Sequence, residues 1–269
     1  MSAIHWFSEE TLSFLKKAGR QKNPEWLVKN KEGFESFVRL PLQDLAGKMA
    51  VALRPIAPGY HFPLKGLGRI KRSSARASEY GSVFKSHVSF TITRPATSRF
   101  DHNPSLYFMI DSEDREGDEV LLAGGLYIPS SRQLKSIREA ISKNALPFEK
   151  LFSDPEFKKS FPNGFSDERT ATRPPRGFDP SHPYLGWLKL QAAFVWKSYR
   201  KKEYTSARFA EKVSKDGAQI LRLNALLDQA MCGRWPEAVG TEHASDHSSG
   251  KRFHERLAGS KVVLHTPDF

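Results

Sequence analysis

The chain has a single cysteine, Cys232, among its 269 residues. One cysteine excludes an internal disulfide framework and any metal site built from several thiolates, and it is typical of a reducing compartment. No apolar run approaches the roughly 18 to 20 residues needed to span a bilayer. The first ten residues lack the basic and apolar segments of a signal peptide. We therefore expect a cytoplasmic protein that does not bind a membrane.

The common phosphate-binding and nucleophile motifs are also missing. Gly66-Leu67-Gly68 begins like a dinucleotide-binding fingerprint, but Lys71 stands at the third glycine position and no strand-turn-helix pattern surrounds it. There is no Walker-type loop and no Gly-x-Ser-x-Gly nucleophile elbow. His243, His247 and His254 have no second ligand pair upstream. We therefore predict no metal site and no cofactor.

The composition is that of a folded and strongly basic protein. Aromatic residues make up 12% of the chain, which is far more than disordered chains carry. The formal net charge is +12 and the isoelectric point is about 9.7. Such a charge suits nucleic acid, anionic lipid or a phosphorylated small molecule as a partner, and it also suits good solubility alone.

Acidic residues are almost absent between residues 65 and 99, where Glu79 is the single one. Eight basic residues share this segment: Lys65, Arg69, Lys71, Arg72, Arg76, Lys85, Arg94 and Arg99. Arginine can hold phosphate or carboxylate through two parallel hydrogen bonds. We predict an anion site formed by Arg69, Arg72 and Arg76, with Lys85 and His87 contributing from the next strand.

A structural explanation of the same charges stays open. Six acidic residues follow the second predicted strand: Asp111, Glu113, Asp114, Glu116, Asp118 and Glu119. In that interpretation the basic residues form a solvated strand face that this acidic loop partly neutralises.

The order of patterns predicts an α+β fold. Helix starts at Ser8 and at Pro24 precede apolar residues at helical spacing. The pattern then changes to period two, with strand candidates at 82–93, 106–110 and 120–122. Short connections indicate an antiparallel sheet over about residues 65–128, flanked by N-terminal and C-terminal helices.

The C-terminal half predicts further helices. One is expected from Ser130 or Ser131, and two more over about Tyr184–Trp196 and Ser206–Met231. The aromatic residues Trp187, Phe194, Trp196 and Tyr199 have near-helical spacing, so we expect core packing rather than base stacking. We predict one α+β domain over residues 1–232 and a loosely ordered C-terminal tail over 233–269.

Asp179 and His182 form a second candidate site. They stand in Gly-Phe-Asp-Pro-Ser-His-Pro and could be a carboxylate–histidine pair for acid–base chemistry. The same residues are also ordinary chemistry for turns and helix starts.

Several short motifs, in order over about residues 5–230, resemble the family known as domain of unknown function 2461 (DUF2461). They are Phe7-Ser8-x-Glu10-Thr11-Leu12-x-Phe14-Leu15, Asn23-x-Glu25-Trp26, Asn30-Lys31, Phe34-Glu35, Arg69-Ile70-x-Arg72, Phe84-Lys85-Ser86-His87, Gly124-Gly125-Leu126-Tyr127-Ile128-Pro129, Arg176-Gly177-Phe178-Asp179-Pro180-x-His182-Pro183 and Leu223-Asn224. The resemblance implies a shared fold but no established reaction, so function has to be argued from the site.

The resemblance fails in one place, the basic segment itself. Family members resemble one another through a run in which tyrosine stands at position 71 and Phe-Ser-Lys-Asp-Lys stands where this chain has residues 77–81. The arginines and Lys85 therefore match, whereas the family's central lysines do not.

Three hypotheses follow for the function. The first is binding of a phosphate-bearing ligand, either a nucleotide, nucleic acid or a phosphorylated metabolite, through the arginine-rich region. The second is an enzyme acting on such a ligand, with His87 or the Asp179/His182 pair as acid–base groups. The third is a module that binds an acidic protein through a flat basic face.

Overall fold

The computed structural model describes residues 6–95, 102–113 and 120–237. Helices come first along the chain, a small sheet follows, and further helices precede and follow its last strand. The N-terminal helices are α1 (Glu9–Gly19), α2 (Glu25–Lys29), α3 (Lys31–Phe34), a π-helical turn (Glu35–Arg39), α4 (Leu40–Leu53) and α5 (Ser74–Tyr80). The strands are β1 (His87–Ile92), β2 (Ser105–Asp111), β3 (Val120–Leu126) and β4 (Ala193–Ser198). The later helices are α6 (Ser131–Lys143), α7 (Leu146–Ser153), α8 (Pro155–Ser160), α9 (Leu185–Leu188), α10 (Lys201–Tyr204) and α11 (Phe209–Met231).

The four strands form an antiparallel sheet in the order β1-β2-β3-β4. Each strand pairs with its neighbour in sequence, and Phe108 in β2 stands between Phe90 and Leu122. The predicted α+β class with an antiparallel sheet between flanking helices is confirmed. Upstream of β1 the described residues pair only through isolated bridges, Lys71 with Phe84 and His61 with Thr93, and α5 lies between Lys71 and Phe84.

One face of the sheet packs against helices. Alternate residues of β2, namely Leu106, Phe108 and Ile110, are fully buried in the main core, as the two-residue period of a strand requires. Helix α11 lies against β3, where a Cβ added to Gly124 would come within 2.0 Å of Ile220 Cγ2. The absence of a side chain at position 124 therefore sets how closely α11 approaches the sheet.

The opposite face, called here the second face, carries the intervening residues of the strands. Its buried apolar cluster contains Tyr107, Met109, Leu121, Ala123, Ala192 and Phe194. All of these belong to the strands or their immediate flanks, and among the described residues no helix contributes to this cluster. The second face can therefore carry polar side chains that are not packed against a helix.

A buried polar cluster joins the C-terminal elements. Asp216 of α11 accepts hydrogen bonds from Ser160 Oγ at 2.6 Å and from the Tyr199 hydroxyl at 2.8 Å. Lys197 of β4 pairs with the same carboxylate, with 3.1 Å between Nζ and Oδ2. Since all of Asp216's partners are polar or charged and only 5% of the residue is exposed, the cluster can hold a buried charge.

The predicted helix over Tyr184–Trp196 is wrong. Only Leu185–Leu188 is helical, and Ala193–Ser198 is the fourth strand, with Val195 opposite Gly124 of β3. A short apolar run has no decisive periodicity, and pairing with an open sheet edge decides its structure here. The expected core packing is confirmed for Phe194 and Tyr199, which are buried, whereas Trp187 and Trp196 are partly buried.

The start of the predicted tail packs onto the domain. Trp235 stacks on Phe148 with ring centroids 4.9 Å apart, and its indole N–H donates to the Asn144 carbonyl at 2.8 Å. Residues 238–269, including the three histidines considered as metal ligands, lie outside the described residues. No helix in the described ranges is long and apolar enough to cross a bilayer.

Candidate functional site

A short return of the chain brings the predicted basic residues together. After Arg72 the chain forms α5, which begins at the Ser73 cap and ends at Gly81 with φ of 65°. Residues 83–85 then run back beside 70–72, where Arg72 N donates to Val83 O at 2.9 Å and Lys85 N donates to Ile70 O at 2.7 Å. The return places Lys85 beside the arginine segment.

The cationic cluster is defined here as Arg69, Arg72, Arg76 and Lys85. Lys85 is half-buried, and burial is the main cause that lowers the pKa of its ammonium group. The positive charges of Arg72, Arg76 and Arg69 lower that pKa further. All three arginines therefore lie close enough to Lys85 to repel it, which is the convergence that the sequence predicts.

Arg72 is held in place by the fold. Its Nε donates to the Phe84 carbonyl at 3.2 Å, and its guanidinium lies over the Tyr80 ring, 4.2 Å from the centroid. Burial lowers the pKa of Arg72, while the negative charges of Glu113 and Asp111 act in the opposite direction. Part of the acidic segment therefore does neutralise the cluster, as the structural explanation expects.

The other two arginines face solvent. Arg69 and Arg76 are both exposed, and Arg76 lies in the first turn of α5 rather than in the strand or turn expected from the sequence. An exposed guanidinium next to one held by the backbone suits an external anion, because its long side chain can adjust to the ligand.

His87 lies next to the carboxylate of Asp111, a pairing that was not predicted from the sequence. His87 of β1 is directly opposite Asp111 of β2, and each is 7% exposed. Side chains in such cross-strand pairs have Cβ atoms about 5 Å apart. Asp111 Oδ1 accepts hydrogen bonds from the Glu113 amide at 3.0 Å and from Ser86 Oγ at 3.3 Å. A buried histidine and a buried carboxylate thus adjoin the cationic cluster.

The structure does not join Asp179 and His182 as a catalytic pair. Asp179 Oδ1 accepts hydrogen bonds from the amide and the hydroxyl of Ser181, both at 2.8 Å, and these bonds lower the pKa of the carboxyl group. His182 Nδ1 accepts from the Tyr184 amide at 3.1 Å, and its Nε2 lies 3.4 Å from Ser142 Oγ. These are the contacts of a turn packed against α6.

Metal binding finds no support in the part of the chain that the structure describes. No group of three or more His, Cys, Asp or Glu side chains is arranged there to hold an ion. Cys232 is exposed just after α11.

The family model described as "Conserved hypothetical protein (DUF2461)" matches residues 10–225. The chain belongs to the DUF2461 family. A search of curated proteins and a search of solved structures each found no match. This description names no activity, so the motifs have to be explained by what they do in this fold.

Several DUF2461 motif residues are architectural in this chain. Gly124 makes room for α11, and Gly125 has φ of 120°, where an added Cβ would lie 2.4 Å from the Ala193 carbonyl. The Arg176–Pro183 motif forms the turn that contains Asp179. Residues 77–81, which depart from the family run, form the end of α5 and its cap. The motif residues Arg69, Arg72, Lys85 and His87 are the ones gathered at the candidate site.

Proposed function

We propose that this DUF2461 protein binds a phosphate-bearing ligand through the cationic cluster. One observation carries the proposal, namely that the backbone pairing of residues 70–72 with 83–85 places the half-buried Lys85 beside Arg72, close enough to Arg69 and Arg76 for all three charges to repel it. Like charges held together repel each other, and a bound anion relieves that repulsion. The ligand class is a nucleotide, nucleic acid or another phosphorylated molecule.

The surroundings of the cluster favour an extended phosphate ligand. Lys71 is exposed within the same segment. The Gln21 carbonyl just after α1 accepts a hydrogen bond from Val83 N at 2.8 Å, so the backbone of the exposed residues Arg20 and Lys22 lies close to residues 83–85. Several exposed cations beside a fixed arginine suit a chain of phosphates better than a single one.

The first test is binding of a labelled mixed-sequence single-stranded oligonucleotide, followed by fluorescence anisotropy over a salt series. The logarithm of the association constant should fall with the logarithm of salt by about 0.7 per phosphate contacted. The Arg69→Gln/Arg76→Gln variant should lower the slope by about 1.4 and weaken binding at least about tenfold. These two arginines are chosen because both are exposed, whereas Arg72 supports the fold.

The matched control is Lys48→Gln/Lys158→Gln, which removes the same charge from exposed positions on α4 and α8. It should leave the salt slope unchanged. ATP and inorganic phosphate serve as competitors that distinguish a mononucleotide site from a nucleic-acid site. If neither the oligonucleotide nor ATP binds at about 50 mM salt, the proposal is wrong. An acidic protein partner would then be the remaining binding hypothesis.

The pairing of His87 with Asp111 favours a second candidate, acid–base catalysis on the bound phosphate ligand. A histidine beside a carboxylate can donate or accept a proton while the cluster holds the phosphate. Hydrolysis of p-nitrophenyl phosphate by wild type and by His87→Gln tests this candidate. Turnover that is lost in the variant while ATP binding is retained would support it, and equal turnover would contradict it.

The cytoplasmic location expected from the sequence stays part of this proposal. It is supported by the single cysteine, and the nucleotides and nucleic acids that the cluster would bind are abundant in that compartment.

A further inference from the structure

A pocket of about 380 Å³ lies at the other end of β1 from the cationic cluster. Its floor comes from the second face of the sheet, with Thr91 on β1, Ser105 on β2 and Gly125 on β3. This volume is within the range of small-molecule sites, which is roughly 300–1,000 Å³.

Small side chains create the depression. Further along the same face, Tyr107, Met109 and Phe194 fill the space above the sheet. At the pocket end, Ser105 is paired with Gly125. In this cross-strand pair one residue has only a hydroxymethyl side chain and the other has none. Tyr127 and Ile128 follow β3 and supply an apolar wall. The pocket is thus formed by the strands themselves.

The polar groups of the pocket are basic or neutral. His61, Arg94 and His102 contribute to the lining, and among the described lining residues there is no carboxylate. The His61 amide donates to the Thr93 carbonyl at 2.7 Å, which fixes its backbone beside the sheet. Gln133 fixes His102, because its side chain accepts from the His102 amide at 3.3 Å and donates to the His102 carbonyl at 2.6 Å. Both imidazole-bearing residues therefore have a backbone held at the edge of the pocket.

Arg94 adds a guanidinium-bearing side chain to the pocket lining. It pairs with Asp228 of α11 through Nη2 and lies over the Tyr60 ring, 5.4 Å from the centroid. The charges of Arg94 and Asp228 both act on Tyr60. Arg94 therefore contributes to the pocket lining with a side chain held by Asp228 and Tyr60.

We propose that this pocket binds a small organic acid, with its apolar part against Tyr127 and Ile128 and its carboxylate or phosphate group facing His61, Arg94 and His102. The site is separate from the cationic cluster and does not depend on the function proposed for it. Recognition combines a concave apolar surface with a few polar side chains, which is the usual composition of a small-molecule site.

The test uses three probes of similar shape, namely benzoate, phenyl phosphate and benzyl alcohol. Each is titrated into the full-length ¹⁵N-labelled protein, and amide shifts are followed by NMR. For molecules this small, a dissociation constant on the order of 1 mM is expected. At least one of the two acids should shift the amides of Thr91, Thr93, Ser105 and Tyr127 in a saturable way. The neutral alcohol should bind at least about fivefold more weakly than that acid.

Two variants locate the binding. His61→Gln/His102→Gln removes two exposed imidazoles without touching the backbone hydrogen bonds, and it should weaken the better acid at least about threefold. Arg69→Gln/Arg76→Gln, in the cationic cluster, should leave these shifts unchanged. Preference for benzoate or for phenyl phosphate identifies the acidic group.

Two results would overturn the proposal. One is the absence of saturable shifts at the pocket amides up to about 10 mM of either acid, ten times the expected dissociation constant. The other is equal affinity for benzyl alcohol and both acids, because this would show that the positive groups take no part in recognition.

Discussion

Glu168 offers a sharp test of the electrostatics of this fold. The side chain is partly buried, and its buried Oε1 has no hydrogen-bond partner within residues 6–95, 102–113 and 120–237. Burial is the main cause that raises the pKa of Glu168 from 4.5 to about 7, with the charge of Asp167 adding to it. Contacts with Ser166 and Trp196 act in the opposite direction but do not cancel the shift. The folded protein therefore favours the protonated carboxyl group.

The sign of the effect follows from proton binding. Between about pH 4.5 and pH 7 the folded state holds the Glu168 proton and the unfolded state has lost it, so wild-type stability falls as pH rises through this window. One pKa unit corresponds to about 1.36 kcal/mol of difference between the protonated and the ionised form. A pKa of about 7 instead of 4.5 therefore corresponds to about 3.4 kcal/mol. Because the side chain is only partly buried, solvent screening reduces this to about 1–2 kcal/mol.

Glu168→Gln should therefore raise the free energy of unfolding by about 1–2 kcal/mol at pH 8 and leave it nearly unchanged at pH 4.5. Urea denaturation followed by circular dichroism at both pH values measures the difference. Asp44→Asn, on the exposed side of α4, removes one acidic charge elsewhere and should show no comparable gain at pH 8. An equal gain for Glu168→Gln at both pH values would refute the reasoning, since it would show that the new amide group rather than lost ionisation is responsible.

Three further predictions concern other parts of the molecule. Gly124→Ala should destabilise the protein by about 1–3 kcal/mol in urea denaturation because its Cβ would overlap α11. The control Gly47→Ala, at a position with open space around it in α4, should stabilise the protein by up to about 1 kcal/mol. Asp216→Ala should cost about 3–5 kcal/mol in the same assay because it leaves the charge of Lys197 without its partner, and a loss below about 1 kcal/mol would contradict this. Lys85→Gln should raise the melting temperature of the unliganded protein, since it relieves repulsion within the cationic cluster, while it weakens ATP binding about tenfold in calorimetry. A lower melting temperature without ligand would contradict the repulsion.

Local signals predicted the class of the fold. The cap at Ser8, the proline before Glu25 and the period-two run before Thr93 correspond to α1, α2 and β1. The fourth strand was missed because Ala193–Ser198 is short and closely follows a helical turn. Its structure depends on the edge of β3, where Leu126 pairs with Ala193, 67 residues later in the chain. Local patterns carry no information about that edge.

The residues of the cationic cluster could be selected from the sequence, whereas their arrangement could not. The excess of charge pointed to Arg69, Arg72, Arg76 and Lys85, and their convergence follows from a helix that the sequence analysis did not expect between them. The partnership of His87 with Asp111 depends on the register of β1 and β2, and a shift by one residue would place the side chain on the other face. No local signal gives that register, although charged residues at both strand ends would have justified testing the pair.

Strand β1 connects the two proposed sites through a short stretch of backbone. His87 adjoins the cationic cluster and Thr93 borders the pocket, so the sites lie roughly 20 Å apart along a paired strand. The paired strand therefore fixes the distance between the two sites. A molecule that carries a phosphate chain at one end and an organic acid at the other would bind its second group at a high effective concentration once the first is bound. The gain in affinity of such a molecule would depend on the length of its spacer and would therefore measure the distance between the two sites. A spacer too short to reach from one site to the other would give no gain in affinity.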